Sequence, residues 1–353
     1  MKTILHTIVI THQIIHDEMY QIIYKNLKSL SEEIGVPFRP KDDNNDNKKR
    51  YVTNALKDQG FTEILLMKSK HDPKYRYPQK YLQIQLNPTK LLDRDIIELT
   101  KEEDIAEVQR RFNRIVEEKI HLGLNPFMRW TLKRIDYAKN ITTPHVKEYI
   151  KLFQRADKPH SFVIPYNNES KDRTYKKGSF YLKSKSVRIN FYDKANERLN
   201  NSHEEVESAK NILRLEVQLL KSKTDAMRYK YKFNIKHLGY FLSEEISTRE
   251  LSYYYNKTIG KGRYYKLDKA IKKVNESDHT QGMKEKLIQV LKEVNAARSI
   301  WKARDKERYS RESFRTYLKL IREEGINPVT IPRDWGIDEL EGINIDIDTD
   351  IEF

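Results

Sequence analysis

Leu213-Arg214-Leu215-Glu216-Val217-Gln218-Leu219 alternates apolar and polar side chains without a break. Successive side chains of an extended chain point to opposite faces, so Leu213, Leu215, Val217 and Leu219 line one side and Arg214, Glu216 and Gln218 the other. That is the pattern of a half-buried antiparallel strand, and residues 211–220 are expected to form one. Upstream, Gly178 to Tyr192 reads as a hairpin joined near Lys183–Lys185, and Trp130 to Tyr137 as a strand. Thr143 to Phe153 reads as a helix with Thr143 as its cap before Pro144. Further strands are expected over 4–15, 62–67 and Tyr81 to Leu86, the last ended by Asn87-Pro88. Helices are expected over 17–34 and 101–120, a solvated loop over 41–50 and a basic turn over 69–80. Beyond about residue 222 the period changes to a helical one, with helices over 242–256, 266–275, 281–297 and 310–324, the last stopped at Gly325. The expected fold is α+β: an antiparallel central sheet flanked by helices, followed by a helical region. The expected division is an α+β domain over 1–240, a helical C-terminal region over 241–332 and an acidic, mobile tail over 333–353.

The chain has 353 residues and a formal charge of +15, and no cysteine, which excludes a disulfide framework and a thiolate zinc site. The stretch Asp338 to Glu352 carries seven acidic residues and no basic one, so the remainder is near +22. A body this basic attracts polyanions. Its 22 tyrosines interleave with cations, as in Tyr229-Lys230-Tyr231-Lys232 and Arg263-Tyr264-Tyr265-Lys266, which sets stacking faces beside phosphate-binding charge. A codon bias toward Lys, Ile, Asn and Tyr produces the same composition. The longest apolar runs, such as Ile64-Leu65-Leu66-Met67, are too short to span a bilayer, so no membrane association is expected. Polar residues interrupt the N-terminal MKTILHTIVITHQ, which reads as a strand rather than a signal peptide.

Three acidic residues stand out: Asp136, Glu197 and Glu216. Either they are ordinary solvated groups, or they converge as hard oxygen ligands for Mg²⁺ or Mn²⁺ and polarise a phosphodiester. Arg188 and Arg214 lie on polar strand faces, where they orient phosphate or make cross-strand ion pairs. Arg134 precedes Asp136, and Lys194 precedes Glu197. Tyr254 and Tyr229 each head a Tyr-x-x-Lys pattern ending at Lys257 and Lys232. On a helix such a lysine shares a face with the phenol and assists it as a nucleophile toward phosphorus. Tyr254 is placed ahead of Tyr229, although with so many tyrosines and lysines the pattern also arises by chance. Gly260-Lys261-Gly262-Arg263 is a flexible basic turn that suits phosphate. The sequence has no HxH pair, no HExxH and no glycine-rich nucleotide loop.

Several pieces, in this order, resemble the replication initiation endonucleases of filamentous phages and related plasmids and, more distantly, the initiators of staphylococcal-type rolling-circle plasmids. They are Ile84 to Leu92, Trp130 to Tyr137, Gly178 to Tyr181 running into Arg188 to Glu197, Leu213 to Leu219, Tyr254 to Leu267 (YYNKTIGKGRYYKL) and Gly325 to Pro332 (GINPVTIP). The first 80 residues lie outside the resemblance. It implies a nickase related to the HUH endonucleases that uses a divalent ion and a tyrosine linked to a 5′ phosphate, leaving a 3′ hydroxyl that primes synthesis. The paired histidines of that class are absent; in the staphylococcal-type relatives acidic residues take their place, a role that suits Asp136, Glu197 and Glu216. The DNA contacts would come from Arg134, Arg188, Lys194, Arg214, Lys232, Lys257, Lys261 and Arg263. The implied partners are origin DNA, single-stranded or hairpin, and a host helicase, in the cytoplasm of the host cell. A non-catalytic DNA-binding regulator, a relaxase of a mobile element and an RNA-binding protein share most of these features.

Overall fold

The computed structural model describes residues 3–41, 48–69, 78–95, 97–165, 178–202, 207–305 and 309–345. Residues 42–47 of the expected loop, 70–77 of the basic turn and 346–353 of the acidic tail lie outside these. In chain order the elements begin with β1 (Thr3–Ile14), α1 (Asp17–Ile34), β2 (Arg39–Pro40), β3 (Lys48–Thr53), β4 (Phe61–Ser69), β5 (Lys80–Leu86) and α2 (Pro88–Leu91). Next come β6 (Thr100–Lys101), α3 (Ile105–Lys119), β7 (Thr131–Thr142), α4 (Val146–Phe153), β8 (Ser179–Lys183), β9 (Val187–Asp193), α5 (Lys194–Ser202) and β10 (Ile212–Leu219). The chain continues with α6 (Lys221–Lys230), α7 (Glu244–Thr258), β11 (Tyr264–Tyr265), α8 (Leu267–Glu276), α9 (Gln281–Ala297), α10 (Ile300–Arg304), α11 (Arg311–Glu323) and β12 (Glu339–Leu340).

The fold is α+β with a large antiparallel sheet. The chain divides into two units that do not follow the expected cut near residue 240: one holds Met1–Lys139 and Glu216–Ser247, the other Asn140–Leu215 and Thr248–Phe353. The polypeptide passes between them within β7, within β10 and within α7.

In the first unit the strand order is β2-β3-β4-β5-β1-β7, and the second half of β10 follows. The pleat sorts side chains by parity. Leu5, Ile8, Ile10, Ile64, Leu66, Leu82, Ile84, Leu132, Ile135 and Tyr137 share one face and are fully buried. The apolar stripes of α1 (Tyr20, Ile23, Leu27, Leu30) and α3 (Val108, Phe112, Ile115, Val116) are buried as well. Phe112 stacks on Phe61 at 5.4 Å and meets Phe127 at 4.8 Å and Trp130 at 5.4 Å. The opposite face is polar, with Thr7, Thr11, Gln83, Gln85, Thr131, Arg134 and Asp136 in register across β5, β1 and β7.

Two breaks in the register shape that polar face. Between Leu5 and Thr7, β1 carries one residue more than β7, and the extra residue is His6. Between Leu132 and Arg134, β7 carries one more than β1, and the extra residue is Lys133. Such bulges turn a side chain out of its alternating place and add local twist.

In the second unit β8 and β9 form the expected hairpin, with Ser179 opposite Tyr192 and Lys183 opposite Arg188. Phe180, Leu182, Ile189 and Phe191 are buried there with Leu213 and Leu215 from the first half of β10. Phe153 of α4 packs 4.7 Å from Phe191. The helices α8, α9 and α11 fall close to their expected spans. The tail departs from expectation: β12 pairs with β11, and Leu340 and Ile345 are buried. Three cations hold this segment through Arg263–Glu341, Lys266–Asp338 and Lys269–Glu339 ion pairs. Gly262, at φ 110°, and Gly342 make that approach possible, since a Cβ on Gly342 would stand 2.6 Å from the Gly262 carbonyl oxygen.

Phe112 is the ring through which α3 grips the first unit's sheet. Phe112→Ala is expected to destabilise the protein by about 3–5 kcal/mol, read as a lower urea midpoint at unchanged slope.

Candidate functional site

Asp136 lies on the polar face of β7 and is 1% exposed. A carboxylate so deeply placed needs a partner, since an unpaired buried charge is costly. Arg134, two residues along the same strand and so on the same face, supplies it. Its Nε donates to Oδ1 at 2.9 Å and its Nη2 to Oδ2 at 2.8 Å, a bidentate pair.

Glu216, in mid-strand on β10, is 6% exposed. His6 lies beside it, with Nδ1 3.6 Å from Oε1, and the same nitrogen lies 3.1 Å from the Thr7 hydroxyl. Thr7 is directly opposite Asp136 in the β1–β7 ladder. Residues directly opposite in a ladder share a face. The contacts from Glu216 through His6 and Thr7 therefore put both carboxylates on one side of the first unit's sheet. Gln218, two residues beyond Glu216 on the same face, has a buried amide oxygen with no hydrogen-bond partner among the described residues.

The three-carboxylate set is not assembled. Among the described residues no group of three or more His, Asp and Glu side chains is placed to hold a metal ion. Glu197 belongs to the second unit, at the start of α5, where it accepts a hydrogen bond from Lys194 at 2.7 Å. The physical reason is local. Lys194 is buried with its ammonium 5.8 Å from the Tyr192 ring centre, and Glu197, one helical turn on, neutralises it. Asp136, Glu216 and the Gln218 amide remain as hard oxygen donors on one face. This is a set suited to Mg²⁺, which is commonly held by one or two carboxylates together with substrate phosphate and water.

The tyrosines change rank. Tyr254 is 4% exposed, with its ring edge-on to Phe162 and Tyr253, so it is a packing residue. Lys257 serves Tyr253 instead, reaching its hydroxyl at 3.4 Å and lying over its ring. Tyr229, on α6, is 71% exposed. Its expected partner is displaced: α6 ends at Lys230, and Lys232 has left-handed backbone (φ 56°), so Lys232 does not share a helical face with Tyr229. Arg228 takes that place, with its Nη2 donating to the phenol oxygen at 2.5 Å and its guanidinium 4.5 Å from the ring centre.

The expected DNA contacts divide by burial. Arg214 is fully buried and donates from Nε to Asn140 Oδ1 at 2.8 Å, which makes it structural, and Lys194 is occupied as described. Arg188 is half-buried at the hairpin end of β9. Lys232, Lys257, Lys261 and Arg263 are exposed, although Arg263 is tied to Glu341 by a 2.8 Å hydrogen bond.

The sequence reading missed His6 and Arg228. A signal for His6 was present. Leu5-His6-Thr7-Ile8 and Leu132-Lys133-Arg134-Ile135 both space buried residues by three inside a strand, which a regular pleat forbids and a bulge permits. No family model matches this chain, and no curated protein matches it.

Removing Arg134 would take the bidentate partner from the buried Asp136 carboxylate. Because Arg134 is partly exposed, Arg134→Ala is expected to cost up to about 3 kcal/mol. Adding Asp136→Asn in that background should recover part of the loss. Thermal denaturation of the two single variants and the double variant measures the coupling.

Proposed function

We propose that this protein is a tyrosine-dependent nickase of nucleic acid, in the manner of a rolling-circle replication initiator that cuts and rejoins origin DNA. The observation that carries the reading is Tyr229: an exposed phenol with a guanidinium on its oxygen, on the helix that directly follows the strand bearing Glu216. An arginine there, donating to the phenol oxygen, is placed to meet a phosphate oxygen. The basic surface supplies sequence-independent affinity for the substrate.

In this reading the Tyr229 oxygen attacks the scissile phosphorus in line, losing its proton as the O–P bond forms. The bond to the 3′ oxygen breaks, and that oxygen leaves as a 3′ hydroxyl after taking up a proton. The product is a phosphotyrosine ester at the 5′ end, which keeps the bond energy for rejoining. Arg228 offsets charge on the phosphoryl oxygens. Mg²⁺ or Mn²⁺, when bound, would be held by Asp136 and Glu216 with the Gln218 amide, and would supply Lewis-acid polarisation of the phosphate. The HUH-like arrangement of the sheet, origin DNA as substrate, a helicase as partner and action in a host cytoplasm belong to the same proposal. Among the described residues no helix is long and apolar enough to cross a membrane.

The engagement of Asp136 by Arg134 and of Glu197 by Lys194 favours one second reading, a DNA-binding regulator without chemistry. Supercoiled origin plasmid with Mg²⁺ or Mn²⁺ separates the two. Relaxed circles bearing protein at a 5′ end support the nickase, whereas a gel shift with intact supercoils supports the regulator.

Tyr229→Phe is expected to abolish the covalent adduct and Tyr254→Phe to leave it in place; an adduct that persists in Tyr229→Phe moves the nucleophile elsewhere. Glu216→Gln is expected to stop nicking while oligonucleotide binding stays within a factor of about two, and chelation by EDTA should have the same effect on the wild type. Full nicking by Glu216→Gln rules out a ligand role for that residue.

A further inference from the structure

Lys133 is the extra residue of the β7 bulge, and its side chain is half-buried. Its neighbours are cations. Lys221 opens α6, and Lys236 is brought alongside β7 because the Leu132 N–H donates to the Lys236 carbonyl at 3.1 Å and Thr131 bridges to His237. Lys236 is itself buried. Its ammonium donates to the Lys221 carbonyl at 3.3 Å and to Asp225 Oδ1 at 2.7 Å. Asp225 is the acid within this group, and Lys236 already engages it. The first turn of α6 carries Lys221 and Lys223 and no acidic residue, the reverse of what the helix dipole favours.

Lys221 and Lys236 act on Lys133 as like charges, while Asp225, the opposing charge, is engaged by Lys236. Burial, followed by the charges of Lys221 and Lys236, holds Lys133 below the usual lysine range. Burial likewise lowers Lys236, with Lys221 and Arg228 adding to the effect. Arg228 links the group to the exposed phenol, since the guanidinium that is a like charge to Lys236 also donates to the Tyr229 oxygen. A cluster of cations with too few anions, beside a group that would attack phosphorus, lacks a negative partner supplied from outside.

We propose that Lys133, Lys221 and Lys236 form a subsite for a backbone phosphate of nucleic acid, adjacent to the phosphate that Tyr229 would attack. The bulge at Lys133 is the device that turns this side chain out of the strand's alternation and into the subsite. The inference rests on the nickase reading for the role of Tyr229 but not for the binding itself. A phosphodiester in the subsite would neutralise the crowded ammonium groups and release their counterions, so affinity for a single strand should be strongly salt-dependent and Lys133 should carry part of that dependence.

The test compares Lys133→Met and Lys133→Arg with wild type, using fluorescence anisotropy of a labelled oligothymidylate over a range of salt concentrations. Lys133→Met removes a repelled charge, so its melting temperature is expected to equal or exceed that of wild type, which controls for folding. Its affinity is expected to fall several-fold, with a plot of log K against log salt shallower by about 0.7; Lys133→Arg should keep both near wild type. An oligoribonucleotide of the same length should show the same loss on Lys133→Met, because phosphate is what is read. Equal affinity and equal slope for Lys133→Met and wild type would overturn the subsite, as would a wild-type protein that binds neither strand. Lys133-dependent binding without any covalent adduct would leave the subsite standing and sink the tyrosine chemistry. An adduct on Tyr229 with binding indifferent to Lys133 would do the opposite.

Discussion

A β-strand shows its side chains to two faces in strict turn, and the first unit is organised by where that rule holds and where it is broken. Where it holds, it sends Leu5, Ile8, Ile10, Leu132, Ile135 and Tyr137 to the buried face and leaves Thr7, Thr11, Arg134 and Asp136 on the other. Where it breaks, at His6 and Lys133, one extra residue in a single strand shifts the pairing. The cost is a disrupted ladder at two points. The result is a histidine set beside Glu216 and a lysine set among other lysines, positions that regular pairing would not provide.

Charge placement follows from the same constraint. Carboxylates on a sheet face that is nearly closed to water need polar partners: Asp136 has Arg134, and His6 lies 3.6 Å from Glu216. The same requirement operates in the second unit, where Glu197 neutralises buried Lys194. These pairings explain why three prominent acidic residues do not form a single cluster. The chain's large excess of cations has a parallel effect on its C-terminal segment. Asp338, Glu339 and Glu341 are held on Lys266, Lys269 and Arg263, so the acidic stretch up to Ile345 is anchored, with β12 paired to β11 and Leu340 and Ile345 buried.

Much of the secondary structure was legible in the order of residues, because long periodic segments report their own burial. Leu213 to Leu219 alternates and is β10; the α9 span follows from Leu287, Val290, Leu291 and Val294 at helical spacing. The short elements β2, β3, β11 and β12 were not legible, since strands of two to six residues draw their stability from neighbours distant in the chain. Of the candidate site, Asp136 and Glu216 were legible as acidic residues in strand context. The relative standing of Tyr229 and Tyr254 was not, because both sit in the same Tyr-x-x-Lys pattern and the pattern says nothing about what covers each ring.

The sequence by itself determined the α+β class, the apolar faces, the excess of positive charge and the absence of thiol chemistry, because periodicity and composition are properties of the chain alone. Tertiary structure alone decided that Tyr254 is enclosed by Phe162 while Tyr229 stands in solvent against Arg228. It also decided that Asp136 and Glu216 share a face through His6 and Thr7, while Glu197 answers to Lys194. Exposure and pairing depend on strand register and on contacts between segments separated by up to some two hundred residues, and local sequence does not encode that register.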